Sequence, residues 1–142
     1  MKTIRHFLTD HPREVWSVSP GDTVIDALRL MAQKNIGAVV VMRSDQLLGI
    51  FSERDYARKI VLMGKTSSKS LVSEIMTEKV ITVSVEFKVD ECMKIMSEHH
   101  IRHLPILAQN KVVGIISIRD VVKEMIKTQQ MLIDDLQKYI SG

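Results

Sequence analysis

The sequence has few aromatic residues, a single cysteine and no long apolar run. One Trp, two Tyr and three Phe leave few rings for stacking on single-stranded nucleic acid. Cys92 stands alone, which excludes an intramolecular disulfide and is typical of a reducing compartment. No apolar stretch approaches the roughly 20 residues that a membrane span needs, and no signal peptide is visible. These absences predict a cytoplasmic protein with neither a membrane nor a nucleic acid as its partner.

The charges are mixed rather than segregated. Lys and Arg number 20 against 17 Asp and Glu, which gives a net charge of +3 over 142 residues. Because acidic residues are interspersed with the basic ones, no stripe is present that could follow a phosphate backbone. A small anionic ligand needs only a few local cations, so the composition remains compatible with one.

An internal repeat organises the chain. Shifting the sequence by 65 residues aligns two copies without a gap, with ten identities between positions 18 and 55 of the first copy. The clearest match is Gly49-Ile50-Phe51-Ser52-Glu53-Arg54-Asp55 with Gly114-Ile115-Ile116-Ser117-Ile118-Arg119-Asp120. The boundaries that we predict are 10–64 for the first repeat, 74–128 for the second and 129–142 for a C-terminal amphipathic helix or tail.

Each repeat is predicted to run strand, helix, strand, strand, helix. The first helix follows Asp22 as its N-cap and presents Val24, Ala27, Leu28 and Met31 on one face, and the second copy repeats this face as Val89, Cys92, Met93 and Met96. The strands are predicted at Trp16–Val18, Ala38–Met42, Leu47–Phe51, Leu104–Leu107 and Val112–Ile116, with helices starting at Ser52, as far as about Met63, and at Ser117. Units this small bury little surface alone, so we expect the repeats to share one core around a pseudo-twofold axis that creates two clefts.

The C-terminal stretch is amphipathic. Leu132, Ile133, Leu136 and Ile140 fall on one side of a predicted helix. The sequence leaves two alternatives open for this face: it closes over the core of its own domain, or it packs against a second chain.

The quoted motifs, together with Ile101-Arg102-His103-Leu104-Pro105-Ile106, resemble the cystathionine-β-synthase (CBS) domain family, arranged as a tandem pair. The resemblance covers residues 10–128 and is closest to the stand-alone bacterial signal-transduction type. It implies an α+β fold in which two pseudo-symmetric repeats form one Bateman-type module. It also implies a homodimer that senses energy or redox state by binding AMP, ADP, ATP or NAD(H), without catalysis and without a catalytic cofactor.

The resemblance implies a set of nucleotide-binding residues around two clefts. They are Trp16, Ile36, Gly37, Ala38, Ile50, Ser52, Arg54, Asp55, Ile81, Ile101, Arg102, His103, Ile115, Ser117, Arg119 and Asp120. By family geometry, Asp55 and Asp120 each hold a ribose diol, and the residues that complete each cleft come from the other repeat. Asp55 is grouped with Ile81, Ile101, Arg102 and His103, and Asp120 with Trp16, Ile36, Gly37 and Ala38. We expect two inequivalent sites, the Asp55 site being richer in cations.

Plainer interpretations remain beside this one. Ser52-x-x-Asp55 and Ser117-x-x-Asp120 also have the pattern of helix capping boxes. His99, His100 and His103 could suggest a metal site, but their spacing at a helix end disfavours one, and no metal is predicted. No nucleophile is paired with a base, so no catalytic residue is predicted. The main rival is an interaction or dimerisation scaffold that binds no small ligand, and the sequence does not reveal the downstream partner.

Overall fold

A computed structural model describes residues 1–141, and Gly142, the last residue of the predicted tail, lies outside the described residues. Up to residue 81 the elements are α1 Ile4–Asp10, β1 Ser17–Val18, α2 Val24–Lys34, β2 Ala38–Arg43, β3 Gln46–Ser52, α3 Glu53–Tyr56, a π-helical segment Ala57–Val61, and α4 Val72–Ile75. The later elements are β4 Val83–Ser84, α5 Val89–His99, β5 His103–Ala108, β6 Lys111–Ser117 and α6 Ile118–Ser141.

The strands form two three-stranded sheets of the same design. Their orders are β1-β2-β3 and β4-β5-β6. In each sheet the short first strand runs parallel to the second, and β2 and β3 form an antiparallel hairpin. The bounds of α2, β2 and β3 recur 65 residues later in α5, β5 and β6. The predicted α+β class, with two β-α-β-β-α repeats, is therefore confirmed.

The described residues divide into two compact units. One unit contains residues 14–81 together with 109–113. The other contains residues 1–13, 82–108 and Gly114 onward. The first 13 residues thus belong to the same unit as most of the second repeat.

Apolar residues with helix and strand periodicity build the core of the unit that contains residues 14–81. Val24, Ala27 and Met31 of α2 are buried against Val39 and Val41 of β2, and Leu28 packs against this cluster while partly exposed. Val40 is also fully buried, so the sheet has protein on both faces, as its unbroken run of valines predicts. Each fully buried valine or methionine side chain contributes about 1.5–3 kcal/mol of burial free energy.

The α5 face repeats the α2 pattern in the other unit. Val89, Cys92 and Met96 are buried and Met93 is half-buried. The predicted apolar stripe is therefore present in both helices. Both also end at a residue in the left-handed region, Asn35 with φ 53° and His100 with φ 55°. A left-handed residue stops the helix and lets the chain turn into the following strand.

The prediction that Asp22 caps α2 is wrong by one residue. The N-cap is Thr23, whose side chain accepts a hydrogen bond from the Asp26 N–H. The Asp22 carboxylate instead accepts a hydrogen bond from the Ser19 N–H at 2.8 Å, which closes the turn before the helix. Asp22 and Thr23 are both residue types that cap helices; Asp22 is used in the preceding turn, and Thr23 caps the helix.

Two short helices are additional to the predicted elements, and one predicted helix is wound differently. Helix α1 buries Ile4 and Phe7, and α4 buries Val72 and Ile75. The helix expected from Ser52 to about Met63 is a single α-helical turn, α3, followed by the π-helical segment, in which the Leu62 N–H bonds the Ala57 carbonyl at 3.1 Å. No glycine or proline marks this change of winding, and nothing in the structure explains it.

Helix α6 is long and its second half is exposed. Every residue from 129 to 141 is exposed to solvent. This stretch therefore does not close over the core of its own unit, the first of the two alternatives left open by the sequence. Among residues 1–141, no helix has both the length and the apolar character needed to cross a membrane.

Candidate functional site

Each repeat places a Ser-x-x-Asp turn where a strand becomes a helix. Ser52 is the last residue of β3 and has an extended backbone, and α3 starts at the next residue. Ser117 ends β6 in the same way and α6 follows it. We call these two features the Asp55 turn (residues 52–55) and the Asp120 turn (residues 117–120).

The Asp55 turn is a reciprocal capping box. The Asp55 N–H donates to Ser52 Oγ at 3.2 Å, while the Ser52 N–H and hydroxyl donate to Asp55 Oδ2 at 3.0 and 3.1 Å. The Asp120 turn has the same three hydrogen bonds, from Asp120 N–H to Ser117 Oγ at 3.2 Å and from Ser117 to Asp120 Oδ2 at 2.9 and 3.0 Å. The capping interpretation of the sequence pattern is thus realised in both turns.

Two further side chains hold the Asp55 carboxylate. The Thr77 hydroxyl donates to Oδ1 at 3.2 Å, and Lys59 Nζ lies 3.2 Å from the same oxygen. Lys59 also donates to the Ile75 carbonyl at 3.1 Å. Since an ionised carboxylate offers about four lone-pair sites, these four donors saturate it. The Asp55 side chain is only 11% exposed, so its partners are the main source of its stabilisation.

Thr77 reaches Asp55 because its segment runs beside β3. Ile50 and Thr77 exchange both backbone hydrogen bonds, at 3.0 and 2.8 Å. The neighbouring Gly49 permits this approach, because a Cβ at that position would lie 2.7 Å from Met76 Sδ and 2.8 Å from the Thr77 carbonyl oxygen. The glycine is therefore a requirement of the chain crossing.

The third partner of Asp120 is an arginine from the N-terminal segment. Arg13 Nη1 donates to Asp120 Oδ2 at 2.9 Å, so that three donors converge on this one oxygen. The Asp120 side chain is 24% exposed and that of Arg13 is 26% exposed. A charge-assisted hydrogen bond at this depth is stronger than one between neutral groups.

Several contacts fix the position of Arg13. Its Nη1 also donates to the Ile115 carbonyl at 3.2 Å and its Nε to the His11 carbonyl at 3.3 Å. The guanidinium carbon lies 4.7 Å from the centre of the Phe7 ring, within the range of a cation–π contact. Arg13 is thus oriented before any ligand arrives.

A buried acid anchors the segment that carries Arg13. Glu124 of α6 is 4% exposed. Its Oε1 lies 2.9 Å from His11 Nε2 and its Oε2 lies 3.3 Å from Lys2 Nζ. The hydrogen bond between Lys2 and Asp10 raises the pKa of Lys2; burial opposes this, and Glu124 adds to it. These pairs tie residues 2–11 to the helix that follows the Asp120 turn.

Opposing effects set the pKa of Asp120. Burial acts to raise it, but the Ser117 N–H, the Arg13 guanidinium and the Ser117 hydroxyl together outweigh burial. The pKa of Asp120 therefore lies below its ordinary value, and the group is ionised at neutral pH. An ionised carboxylate is an acceptor only, which suits ligand hydroxyl donors.

The helix ends contribute less to anion binding than their positions suggest. The Glu53 N–H donates to the Gly37 carbonyl at 3.1 Å, and the Ile118 N–H donates to the Arg102 carbonyl at 2.8 Å. The third amide of each helix bonds the capping serine. Because these first-turn donors already have protein acceptors, side chains must supply most of the donors to a bound anion.

The remaining predicted site residues fall in both units. Gly37 and Ala38 adjoin the Asp55 turn, since Ala38 pairs with Ser52 across the hairpin. The unit of the Asp55 turn also contains Trp16, Ile36, Ile50, Arg54 and Ile81, and the unit of the Asp120 turn contains Ile101, Arg102, His103, Ile115 and Arg119. The grouping of each aspartate with residues of the other repeat stays a prediction.

Arg13, Thr77 and the ion pair of Lys59 with Asp55 were missed by the sequence reasoning. One signal could have suggested the first two. Residues 12 and 13 align with residues 77 and 78 under the same shift of 65, just upstream of the region where the identities begin. The Lys59 side chain is 42% exposed even though it pairs with Asp55.

The three clustered histidines lie around the end of α5 and the start of β5. His99 is the last residue of α5, His100 is its C-cap and His103 opens β5. Within residues 1–141, no group of three or more His, Cys, Asp and Glu side chains is arranged to hold a metal ion.

Comparisons with known proteins place these features in a family. The chain is 41% identical over 126 residues to the mitochondrial CBS domain-containing protein CBSX3 of Arabidopsis thaliana, a match of 85% of this chain and 61% of that protein. The solved structure of a candidate signal-transduction protein with CBS domains from Burkholderia ambifaria MC40-6 has a TM-score of 0.86 and 46% identity, over 90% of this chain and 96% of that one.

A more distant structure shares the fold. The CBS domain pair of protein MJ0100, solved in complex with 5′-methylthioadenosine and S-adenosyl-L-methionine, has a TM-score of 0.78 at 22% identity, over 90% of this chain and 98% of that one. The family model described as CBS domain matches residues 5–62 and 72–127, which include both Ser-x-x-Asp turns. With two matches that together span most of its length, the chain belongs to the CBS domain family.

Proposed function

We propose that this CBS pair is a regulatory module that binds an adenine nucleotide (AMP, ADP, ATP or NAD(H)) at two inequivalent sites, one at each Ser-x-x-Asp turn. Binding signals energy or redox state through a change of conformation. The module has no catalytic role and requires no catalytic cofactor. We further propose that it acts in the cytoplasm, where Cys92 stays reduced.

The observation that carries this proposal is the pair of oriented carboxylates. Each aspartate is fixed by its serine, whose backbone N–H and hydroxyl both donate to the carboxylate oxygen Oδ2. A ribose diol can replace the outer donors, Thr77 and Lys59 in one turn and Arg13 in the other. The complex of MJ0100 supports the ligand class, because a protein of the same fold holds two adenosine compounds.

Signalling requires that the ligand favour one conformation over another. The outer donors are the means for this. Thr77 follows α4, and Arg13 follows α1, so replacing either donor releases a contact between the turn and a separate helix. Ligand binding energy is thereby coupled to the packing of α1 and α4.

A thermal-shift panel tests the proposal. Wild-type protein is heated with AMP, ATP, NAD or S-adenosylmethionine, and a ligand that binds only the folded state raises the melting temperature in proportion to the logarithm of its concentration. Asp55→Ala is expected to lose binding at its turn while keeping the fold. If no compound of the panel raises the melting temperature of the wild type, the nucleotide proposal is wrong.

The second candidate function is a scaffold that pairs with another copy without a small ligand. Two observations favour it: the protein already saturates the Asp55 carboxylate, and the apolar face of α6 is exposed. Leu132, Leu136 and Ile140 are 58%, 57% and 82% exposed, and with Ile126 and Ile133 they lie on one side of the helix. A helix that is exposed all round is marginal in water without a partner for its apolar face.

We propose a homodimer in which two copies of this face meet, whether or not nucleotide binds. Ile126, Ile133 and Ile140 recur every seven residues, and the charged Asp134 and Lys138 lie on the opposite side, so two identical faces meet without like-charge repulsion. Leu136→Asp is expected to give a monomer in sedimentation at micromolar concentration. Lys138→Asp, which adds the same group on the opposite face, is the matched control. A wild-type protein with the mass of one chain would contradict the homodimer.

A further inference from the structure

The outer donor of the Asp120 turn is a partly buried cation, Arg13, and this distinguishes it from the Asp55 turn. At Asp120, the outer donor is a guanidinium held by the Ile115 carbonyl, the His11 carbonyl and the Phe7 ring. At Asp55, the outer donors are the neutral Thr77 hydroxyl and the Lys59 ammonium, and Lys59 is 42% exposed. The two turns therefore differ in what must happen before a ribose can bind.

When a ribose displaces Thr77 or Lys59 from Asp55, every charged group that is released remains solvated. The hydroxyl of Thr77 is neutral, and the half-exposed ammonium of Lys59 can turn to water while it keeps its bond to the Ile75 carbonyl. A neutral adenosine compound can thus take the Asp55 carboxylate at the cost of hydrogen bonds that it largely restores.

When a ribose displaces Arg13 from Asp120, the guanidinium remains as an unpaired cation whose side chain is about three-quarters buried. The guanidinium cannot lose its proton, and the contacts with Phe7 and with the His11 and Ile115 carbonyls keep it close to the turn. Removing one partner from such a pair costs more than the pair itself contributes, because the remaining charge is left uncompensated. The cost disappears if the incoming ligand brings its own anion to the guanidinium.

We propose that Arg13 makes the Asp120 turn selective for adenosine compounds that carry phosphate: the ribose hydroxyls replace the guanidinium on Asp120, and the guanidinium pairs with the phosphate. This inference rests on the proposed nucleotide function and names the ligand class of one of its two sites. The planar fork of an arginine matches phosphate oxygens in the same bidentate manner as carboxylate oxygens, so the exchange conserves both charge and hydrogen bonds. Adenosine and other adenosine compounds without an anionic group then bind at the Asp55 turn only.

Calorimetric titration of the full chain with AMP and with adenosine tests the inference. Asp55→Asn, which keeps the side-chain volume, silences the other turn, so that the remaining heat reports the Asp120 turn. In this variant AMP is expected to bind at least about tenfold more tightly than adenosine, as expected for a hydrogen bond to a charged group. Adding Arg13→Gln is expected to weaken AMP and strengthen adenosine until the two differ by less than about threefold.

A charge-matched control separates this effect from a general loss of positive charge. Arg5→Gln removes an arginine from the same unit, where it pairs with exposed Glu86, and is expected to leave the AMP-to-adenosine ratio unchanged. Melting curves of every variant establish that it is folded.

Three results would overturn the inference. Equal affinities of Asp55→Asn for AMP and adenosine would remove the selectivity. An AMP-to-adenosine ratio that survives Arg13→Gln would reduce Arg13 to a structural contact. Failure of the wild type to bind either compound would remove the proposed function, and the selectivity with it. The first two results leave nucleotide binding at the Asp55 turn intact, so failure of the selectivity inference can be distinguished from failure of the proposed function.

Discussion

The Asp55 and Asp120 turns have the same sequence pattern and the same internal hydrogen bonds, but different surroundings. In both, a serine donates twice to its aspartate. The outer donors are a threonine and a lysine in one case and an arginine in the other. The two repeats therefore share the capping hydrogen bonds between serine and aspartate and differ in the outer donors to the carboxylate. Local capping holds each carboxylate in place, and we propose that the distant residues determine which ligand binds to it.

The largest expected effect concerns the two glycines beside the turns. Gly49→Ala places a methyl group 2.8 Å from the Thr77 carbonyl oxygen, a backbone atom that cannot move without breaking the pairing of Thr77 with Ile50. At Gly114 the nearest atom is Leu8 Cδ2 at 3.3 Å, the end of a flexible side chain. Urea denaturation is expected to show a loss of about 2–3 kcal/mol for Gly49→Ala and less than about 1 kcal/mol for Gly114→Ala. Equal losses of unfolding free energy at Gly49 and Gly114 would contradict the difference in packing that the two glycines show.

A smaller effect is expected from Asp120→Asn. It deprives Arg13 of its ionised partner and costs about 1–2 kcal/mol at neutral pH. Because the folded pKa of Asp120 lies below the ordinary value of 3.8, the unfolded chain binds more protons in acid, so this contribution is present above that value and is lost as the pH falls toward the folded pKa. Denaturation of the wild type and of Asp120→Asn is measured from about pH 6 to about pH 3, and the difference between their free energies of unfolding is expected to narrow as the pH falls. A difference that stays constant would exclude the ion pair as its source.

The smallest effect is expected at Cys92, which occupies in α5 the position of Ala27 in α2. Both are fully buried. Because alanine already fills this position in the first repeat, Cys92→Ala is expected to cost about 1 kcal/mol or less. Burial, with smaller contributions from Glu91 and Asp90, raises the pKa of the Cys92 thiol to about 11. A thiol reagent is therefore expected to label native protein far more slowly than protein in urea, and equal rates would contradict the burial.

Periodicity and repetition made most of the fold predictable. The apolar faces of α2 and α5, the two hairpins and the serine at each strand-to-helix junction depend on residues within a few positions of each other. The cap of α2 shows where local reasoning stops, since both Asp22 and Thr23 suit the role and only the Ser19 N–H decides between them.

The outer donors of the site depend on the path of the chain, and only the 65-residue alignment of residues 12–13 with residues 77–78 points to the segments that carry two of them. Arg13 and Asp120 are 107 residues apart, and Thr77 and Asp55 are 22 apart. No periodicity relates them, and their meeting requires α1 and α4 to dock as they do. The stripe on α6 was visible in the sequence, but its exposure was not.

The central claim is that both turns bind an adenine nucleotide and do so unequally. Calorimetric titration of the wild type with AMP, repeated on Asp55→Asn and Asp120→Asn, tests it most directly. We expect two binding events of different affinity in the wild type, and the loss of a different one in each variant. No binding, or two identical events that both variants retain, would contradict the account and leave the turns as helix caps alone.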